Sequence, residues 1–214
     1  MKTNSGRETD SNRTDSTAKG TFEQGTETNR IFLRDAHSGQ WLNFSRPQQI
    51  VCTHKVEEVV DCLREIEFLV ETRGWAAAGF VAYEAAPAFD AALRVREDTR
   101  FPLLWFGLYL PPQPVDLPEP VPSLPDLPWS PTVNWGEYAD SIGRIHDYIG
   151  AGDTYQVNYT YRLRAPFRGD AWSLFTQMAA AHQPEFGGFL QTREWSILSL
   201  SPELFFQFDG EDIL

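Results

Sequence analysis

Residues 111 to 131 read PPQPVDLPEPVPSLPDLPWSP, a stretch holding nine prolines. Proline removes the backbone N–H and locks φ, so neither a helix interior nor a central strand can pass through this segment. It is expected to be an extended connector at an edge or on the surface. It divides the chain into an amino-terminal part, 30–110, and a carboxy-terminal part, 132–214. On sequence alone it reads equally as a surface loop within one domain or as a linker between two.

Both flanking parts can fold. The 214 residues are 42 % hydrophobic and 14 % aromatic, enough to bury a sizeable core. Residues 1–29 differ: they hold one aromatic side chain, Phe22, and almost nothing else to bury, so they are expected to form a disordered tail. They contain no apolar run of the kind a signal peptide needs, and no stretch of the chain approaches a membrane span. The formal charge of -12, from 30 acidic against 18 basic residues, opposes a nucleic-acid or anionic-membrane surface. The only cysteines, Cys52 and Cys62, fit neither a disulfide framework nor a metal site, which suits a reducing, cytoplasmic setting.

Periodicity outlines the elements. IFLRD and QWLNFSRP read as two strands around a turn at His37-Ser38-Gly39. A helix follows, capped by Thr53, with Val56, Val59, Val60, Leu63, Ile66 and Val70 as its apolar stripe and Gly74 at its left-handed end. WAAAGFVAYEAAPAFD reads as a strand leaving into a loop, and FPLLWFGLYL as a second buried strand. After the prolines, Tyr138, Ile142, Ile145 and Ile149 repeat at helical spacing up to Gly152-Asp153. From Thr154 to Arg164 the pattern alternates, which predicts a strand with Tyr155, Val157, Tyr159, Tyr161 and Leu163 buried and Gln156, Asn158, Arg162 and Arg164 on the polar face. Asp170 caps a helix reaching about His182. FGGFLQT, WSILSL and PELFFQF then read as consecutive antiparallel strands, with a hairpin turn at Asp209-Gly210.

Candidate chemistry is sparse. His37, His54, His146 and His182 are scattered, so no metal site is expected within the chain. No glycine-rich phosphate loop precedes a helix, and no Gly-x-Ser-x-Gly elbow occurs. Gln156 and Asn158 are most simply a hydrogen-bonded polar face. Glu203 alternates onto the face of Phe205, and partial burial there would suit it to proton transfer.

Taken in order, YIGAGDTYQVNYTYRLRAPF, HQPEFGGFL and ILSLSPELFF resemble the start of the chorismate-utilising domain shared by anthranilate synthase component I and aminodeoxychorismate synthase component I. GFVAYEAAPAFD followed by PLLWFGLY resembles the aminodeoxychorismate branch, including bacterial forms fused to an aminodeoxychorismate lyase. The resemblance covers about 30–214 and is stronger after the prolines. It implies an α+β fold of antiparallel sheets sandwiched with helices, here truncated, with 132–214 as the start of the chorismate-binding domain. It implies chorismate as substrate, Mg2+ as cofactor and a glutamine amidotransferase supplying ammonia. The product would be 4-amino-4-deoxychorismate, on the route to 4-aminobenzoate and folate.

By the same resemblance Glu203 matches the family's proposed general acid/base, and it is the one catalytic position carried over. The family's nucleophilic Lys would fall about five residues beyond Leu214 if the pattern continued, and the Mg2+ ligands farther still, so the 214-residue chain is expected to be inactive. A second family site, which binds tryptophan in some members, corresponds here to Asp35, Trp41, Leu42, Asn43, Phe44, Glu185, Phe186 and Gly187. Asp35 stands where the binders have Ser, and Glu185 where they have Pro. These added carboxylates oppose a ligand that already carries one, and Trp41 is expected to fill part of the space. Anthranilate synthase component I, and a non-catalytic binding module built on the same scaffold, are the competing readings.

Overall fold

The structure is a computed structural model that describes residues 29–96, 101–120, 127–208, 210 and 213. Most of the expected tail, 1–28, and Asp209 of the expected hairpin turn lie outside the described residues.

Strands β1 (Arg30–Arg34) and β2 (Trp41–Phe44) pair antiparallel, with Ile31 opposite Phe44 and Arg34 opposite Trp41. Asp35 holds their turn closed: its carboxylate accepts hydrogen bonds from the backbone N–H groups of His37 and Ser38 and from the Ser38 hydroxyl. Gly39 completes it at φ 69°, a left-handed conformation that favours glycine. Strand β3 (Gln49–Thr53) leads through a short 3-10 turn, Val56–Glu58, into α1 (Val59–Arg73), which ends at Gly74 with φ 64°. Thr53 does not cap α1. It is the last residue of β3, and its hydroxyl accepts from the Lys55 N–H at 3.1 Å and donates to the Glu58 carboxylate at 2.6 Å, shaping the turn that precedes the helix.

Strands β4 (Ala76–Val81) and β5 (Leu104–Tyr109) join β3 in a three-stranded antiparallel sheet with β5 at its centre. The proline stretch contributes a short edge strand, β6 (Gln113–Val115), paired with β2, and a two-residue strand, β7 (Ser130–Pro131). Edge pairing is the sheet position in which a proline can sit. Helix α2 (Trp135–Ala151) starts with a reciprocal cap: the Glu137 N–H donates to Asn134 Oδ1, and the Asn134 N–H donates to the Glu137 carboxylate. Strand β8 (Leu163–Arg164) pairs with β7. Asp170 caps α3 (Ala171–His182) by accepting from the Ser173 N–H at 2.8 Å, as its sequence position predicts.

Strands β9 (Phe186–Gln191) and β10 (Ser196–Ser201) form a hairpin around Arg193-Glu194. Strand β9 also pairs with β1, giving a five-stranded sheet ordered β10-β9-β1-β2-β6 that combines strands from both sides of the prolines.

Alternation along the strands builds three apolar clusters. In β5, Leu104 and Leu108 face α1 and join Val51, Val59 and Ile66, whereas Trp105 and Tyr109 point the other way and meet Ile31, Phe44 and Leu190 of the five-stranded sheet. In β1, Phe32 turns from that inter-sheet core toward α3, where it packs with Trp41, Trp172, Phe175 and Phe189. Tyr109 is fully buried; its hydroxyl donates to the Asn29 carbonyl at 3.3 Å, and burial pushes its pKa far above the ordinary range. The architecture is thus α+β, built on antiparallel sheets.

Two expected strands are absent. Residues 154–162 form no ladder, and only Leu163–Arg164 pair, with β7. Tyr155 is 92 % exposed, and Val157, Tyr161 and Leu163 are exposed as well. Alternation makes a segment competent for a sheet, but a strand persists only against hydrogen-bonded neighbours, and among the described residues no ladder pairs 154–162, where only Arg162 bonds across, to Thr132. Residues 202–207 likewise form no strand; beyond β10 the described residues show only an isolated bridge between Phe208 and Ile213. Helix α2 keeps its predicted stripe, yet none of its residues is buried.

Candidate functional site

Glu203 lies two residues past β10, in a turn pinned by Ser201. The Ser201 hydroxyl donates to the Glu203 carbonyl at 2.8 Å and accepts from the Glu203 N–H at 3.2 Å. This fixes the backbone that carries the carboxylate while leaving its side chain exposed. The expected aromatic cover is missing: Phe205 is 95 % exposed, and Phe206 and Phe208 are exposed too. The physical reason is the absent strand, because without a ladder the alternation that would set Glu203 and Phe205 on one sheltered face is not enforced. Gln156 and Asn158 are also exposed, linked to each other by a 3.4 Å hydrogen bond.

The second candidate set does not converge on a single cavity. Along β2, Trp41 belongs to the α3 cluster, whereas Leu42 and Phe44 belong to the core between the two sheets. Trp41 lies over Gly187 of β9: a Cβ built at Gly187 would come within 2.5 Å of the indole Cη2 and 2.8 Å of Pro184 Cγ. Glycine at 187 is therefore what admits the indole. Phe175 of α3 meets the Trp41 ring edge-on, with centroids 5.5 Å apart. Glu185 is exposed and Phe186 half-buried. Asn43 carries the one buried side-chain oxygen without a hydrogen-bond partner among the described residues, its Oδ1. No sequence signal marks that oxygen, since its isolation follows from what packs around it.

Asp35 serves the β1–β2 turn. Its carboxyl sits below its usual range, chiefly because the Ser38 hydroxyl bonds to it and then because the His37 N–H does. A lowered folded-state pKa stabilises fully above the unfolded value near 4 and loses that contribution as pH falls through the folded value. Asp35→Ala should therefore lower the urea midpoint slightly at pH 7, and the gap from the parent protein should close toward pH 3. A gap independent of pH would contradict this role.

Among the described residues no three His, Cys, Asp or Glu side chains gather as a metal site. Among the same residues no helix is long and apolar enough to cross a membrane.

Comparison with known proteins finds partial matches. Residues 113–214 match the family described as chorismate binding enzyme. Among curated relatives, aminodeoxychorismate synthase component 1 of Klebsiella aerogenes is 39 % identical over 85 residues, which is 40 % of this chain and 19 % of that protein. The protein of the same name from Escherichia coli K12 is 35 % identical over 85 residues, again 40 % and 19 %. Anthranilate synthase component 1 of Thermus thermophilus is 30 % identical over 77 residues, 36 % of this chain and 17 % of that protein. The chain thus spans about a fifth of the length of the curated relatives it matches.

Proposed function

We propose that this chain is the amino-terminal part of an aminodeoxychorismate synthase component I. The observation that carries the reading is the match of 113–214 to chorismate binding enzymes, joined to a higher identity with the Klebsiella aerogenes and Escherichia coli aminodeoxychorismate synthases than with the Thermus thermophilus anthranilate synthase. The finer fold, antiparallel sheets sandwiched with helices, is part of the same proposal. It is supported by α1 and α3 packing on the sheet faces turned away from the inter-sheet core.

The reaction replaces the hydroxyl of chorismate by an amino group. In this reading Glu203 protonates the departing hydroxyl, which leaves as water, and ammonia delivered by a glutamine amidotransferase supplies the new nitrogen. The nucleophilic Lys and the Mg2+ ligands belong to sequence beyond Leu214, as does a fused lyase where one exists. The 214-residue chain alone is inactive, and the working setting is the cytoplasm. In the complete gene product Glu203→Gln should lower kcat by about 10²–10⁴ with KM for chorismate little changed. Unchanged turnover would favour the reading of a scaffold that binds without catalysis.

The tryptophan-type site is closed in this protein. Trp41 already occupies the space over Gly187, and Leu42 and Phe44 face the inter-sheet core. Millimolar L-tryptophan should leave the melting temperature unchanged, since a ligand that binds only the folded state at a hundred times its Kd would add about 2.7 kcal/mol. A rise that saturates with tryptophan would show an open site.

A further inference from the structure

Two Arg-x-Arg segments, one on each side of the proline stretch, come together in the fold. Arg94 and Arg96 follow a turn in which the Asp90 carboxylate accepts from the Ala92 N–H at 2.8 Å and the Asp90 carbonyl from the Leu93 N–H at 3.1 Å. Arg162 and Arg164 lie on the extended segment that forms β8. That segment is held by the β7 pairing and by Thr132, whose N–H donates to the Arg162 carbonyl at 2.9 Å and whose hydroxyl accepts from the Arg162 N–H at 3.2 Å. Residues two apart on extended chain project to the same side, so the segment that forms β8 presents Arg162 and Arg164 as a pair.

All four arginines line one cavity of about 700 Å³, in which Glu84 is the single lining carboxylate among the described residues; Glu203 does not line it. The chain as a whole is strongly acidic, at -12, so four cations lining one basin run against its overall balance. The ion pairs Lys55 with Glu58 and Arg64 with Asp61 involve none of the four. Like charges gathered in one basin repel, and a multiply charged anion seated among them relieves that repulsion. Guanidinium forks bind carboxylate and phosphate oxygens in bidentate geometry, and the cavity has the volume of a small-molecule site.

We propose that this basin binds a small multivalent oxyanion, a polycarboxylate or a phosphate ester, through Arg94, Arg96, Arg162 and Arg164. The concave shape favours a compact ligand over an extended acidic protein segment. Because the arginines are exposed, binding is strong at low ionic strength and weakens with added salt.

The test is calorimetric titration of the 214-residue chain with citrate and, separately, pyrophosphate at low ionic strength. The expected result is saturable one-site binding of at least one of them, and their relative affinities tell carboxylate from phosphate preference. Arg162→Gln/Arg164→Gln should weaken it by at least about tenfold, the loss of one or more charge-assisted hydrogen bonds. Arg94→Gln/Arg96→Gln should do the same without touching the β7–β8 pairing, which covers the case in which the first variant disturbs folding. The charge-matched control Arg168→Gln/Arg193→Gln should bind like the parent chain. No saturable binding of either anion, or equal weakening in the control, would overturn the proposal. So would capture of a glutamate-rich peptide with no binding of either anion, which would make the basin a protein-docking surface.

Discussion

Gly79→Ala is expected to destabilise the protein by about 3 kcal/mol or more, the upper end of what overpacking a well-filled site costs. Gly79 sits in β4 opposite Phe106 of β5, and a Cβ there would fall 2.0 Å from the Trp105 carbonyl oxygen and 2.6 Å from the Phe106 Cα. Both obstacles are backbone, so no side-chain rotation relieves them, and β4 would have to move away from β5. Strand β5 is the central strand of its sheet and supplies both faces of the core, through Leu104 and Leu108 on one side and Trp105 and Tyr109 on the other. A loss of this size is a large share of the 5–15 kcal/mol that holds a typical domain together. Chemical denaturation of the variant measures it. A change below about 0.5 kcal/mol, the size of an ordinary surface substitution, would mean that the two strands do not approach so closely.

Phe175→Ala should cost about 3–5 kcal/mol, because it removes a large ring and leaves a cavity that the surroundings fill only in part. Phe175 is fully buried at the middle of α3 and is ringed by Phe189 at 5.2 Å, Trp41 at 5.5 Å and Trp172 at 5.8 Å between centroids. It is therefore a main fastening of α3 to the five-stranded sheet. Phe175→Leu, which keeps most of the volume, should lose only about 1 kcal/mol. Tryptophan fluorescence gives a second readout, since Trp41 and Trp172 both border the new cavity. If the alanine variant melted with the parent protein, α3 could not be the cover of that sheet.

The elements that could be read from sequence are those whose signals are local. Gly74 and Gly152 end α1 and α2 in left-handed conformations, Asp170 caps α3, and His37 through Gly39 turn the first hairpin. Each of these depends on residues within a few positions of one another. The alternating run from Thr154 and the residues after Ser201 were read as strands from the same kind of local pattern. A strand, however, is completed by a partner elsewhere, and alternation does not supply one. Thr53 was misplaced for a related reason, because a 3-10 turn intervenes between β3 and α1.

The candidate sites divide along the same line. Ser-Pro-Glu marks Glu203, but whether its carboxylate is sheltered depends on a ladder that 202–207 do not form. The Trp41 indole lies over Gly187, a contact that crosses from β2 to β9, two strands that are not adjacent in the sheet, so no local pattern announces it. The pairing of Arg94 and Arg96 with Arg162 and Arg164 was not legible at all, since each Arg-x-Arg is an ordinary exposed pair until the fold brings the two together.

The central claim is chemical, and the most direct test is product analysis. The protein expressed from its complete native reading frame, given chorismate, ammonium and Mg2+, should form 4-amino-4-deoxychorismate, detected as 4-aminobenzoate after addition of aminodeoxychorismate lyase. Glu203→Gln should suppress that product. Formation of fluorescent anthranilate instead, or consumption of no chorismate at all, would contradict the account.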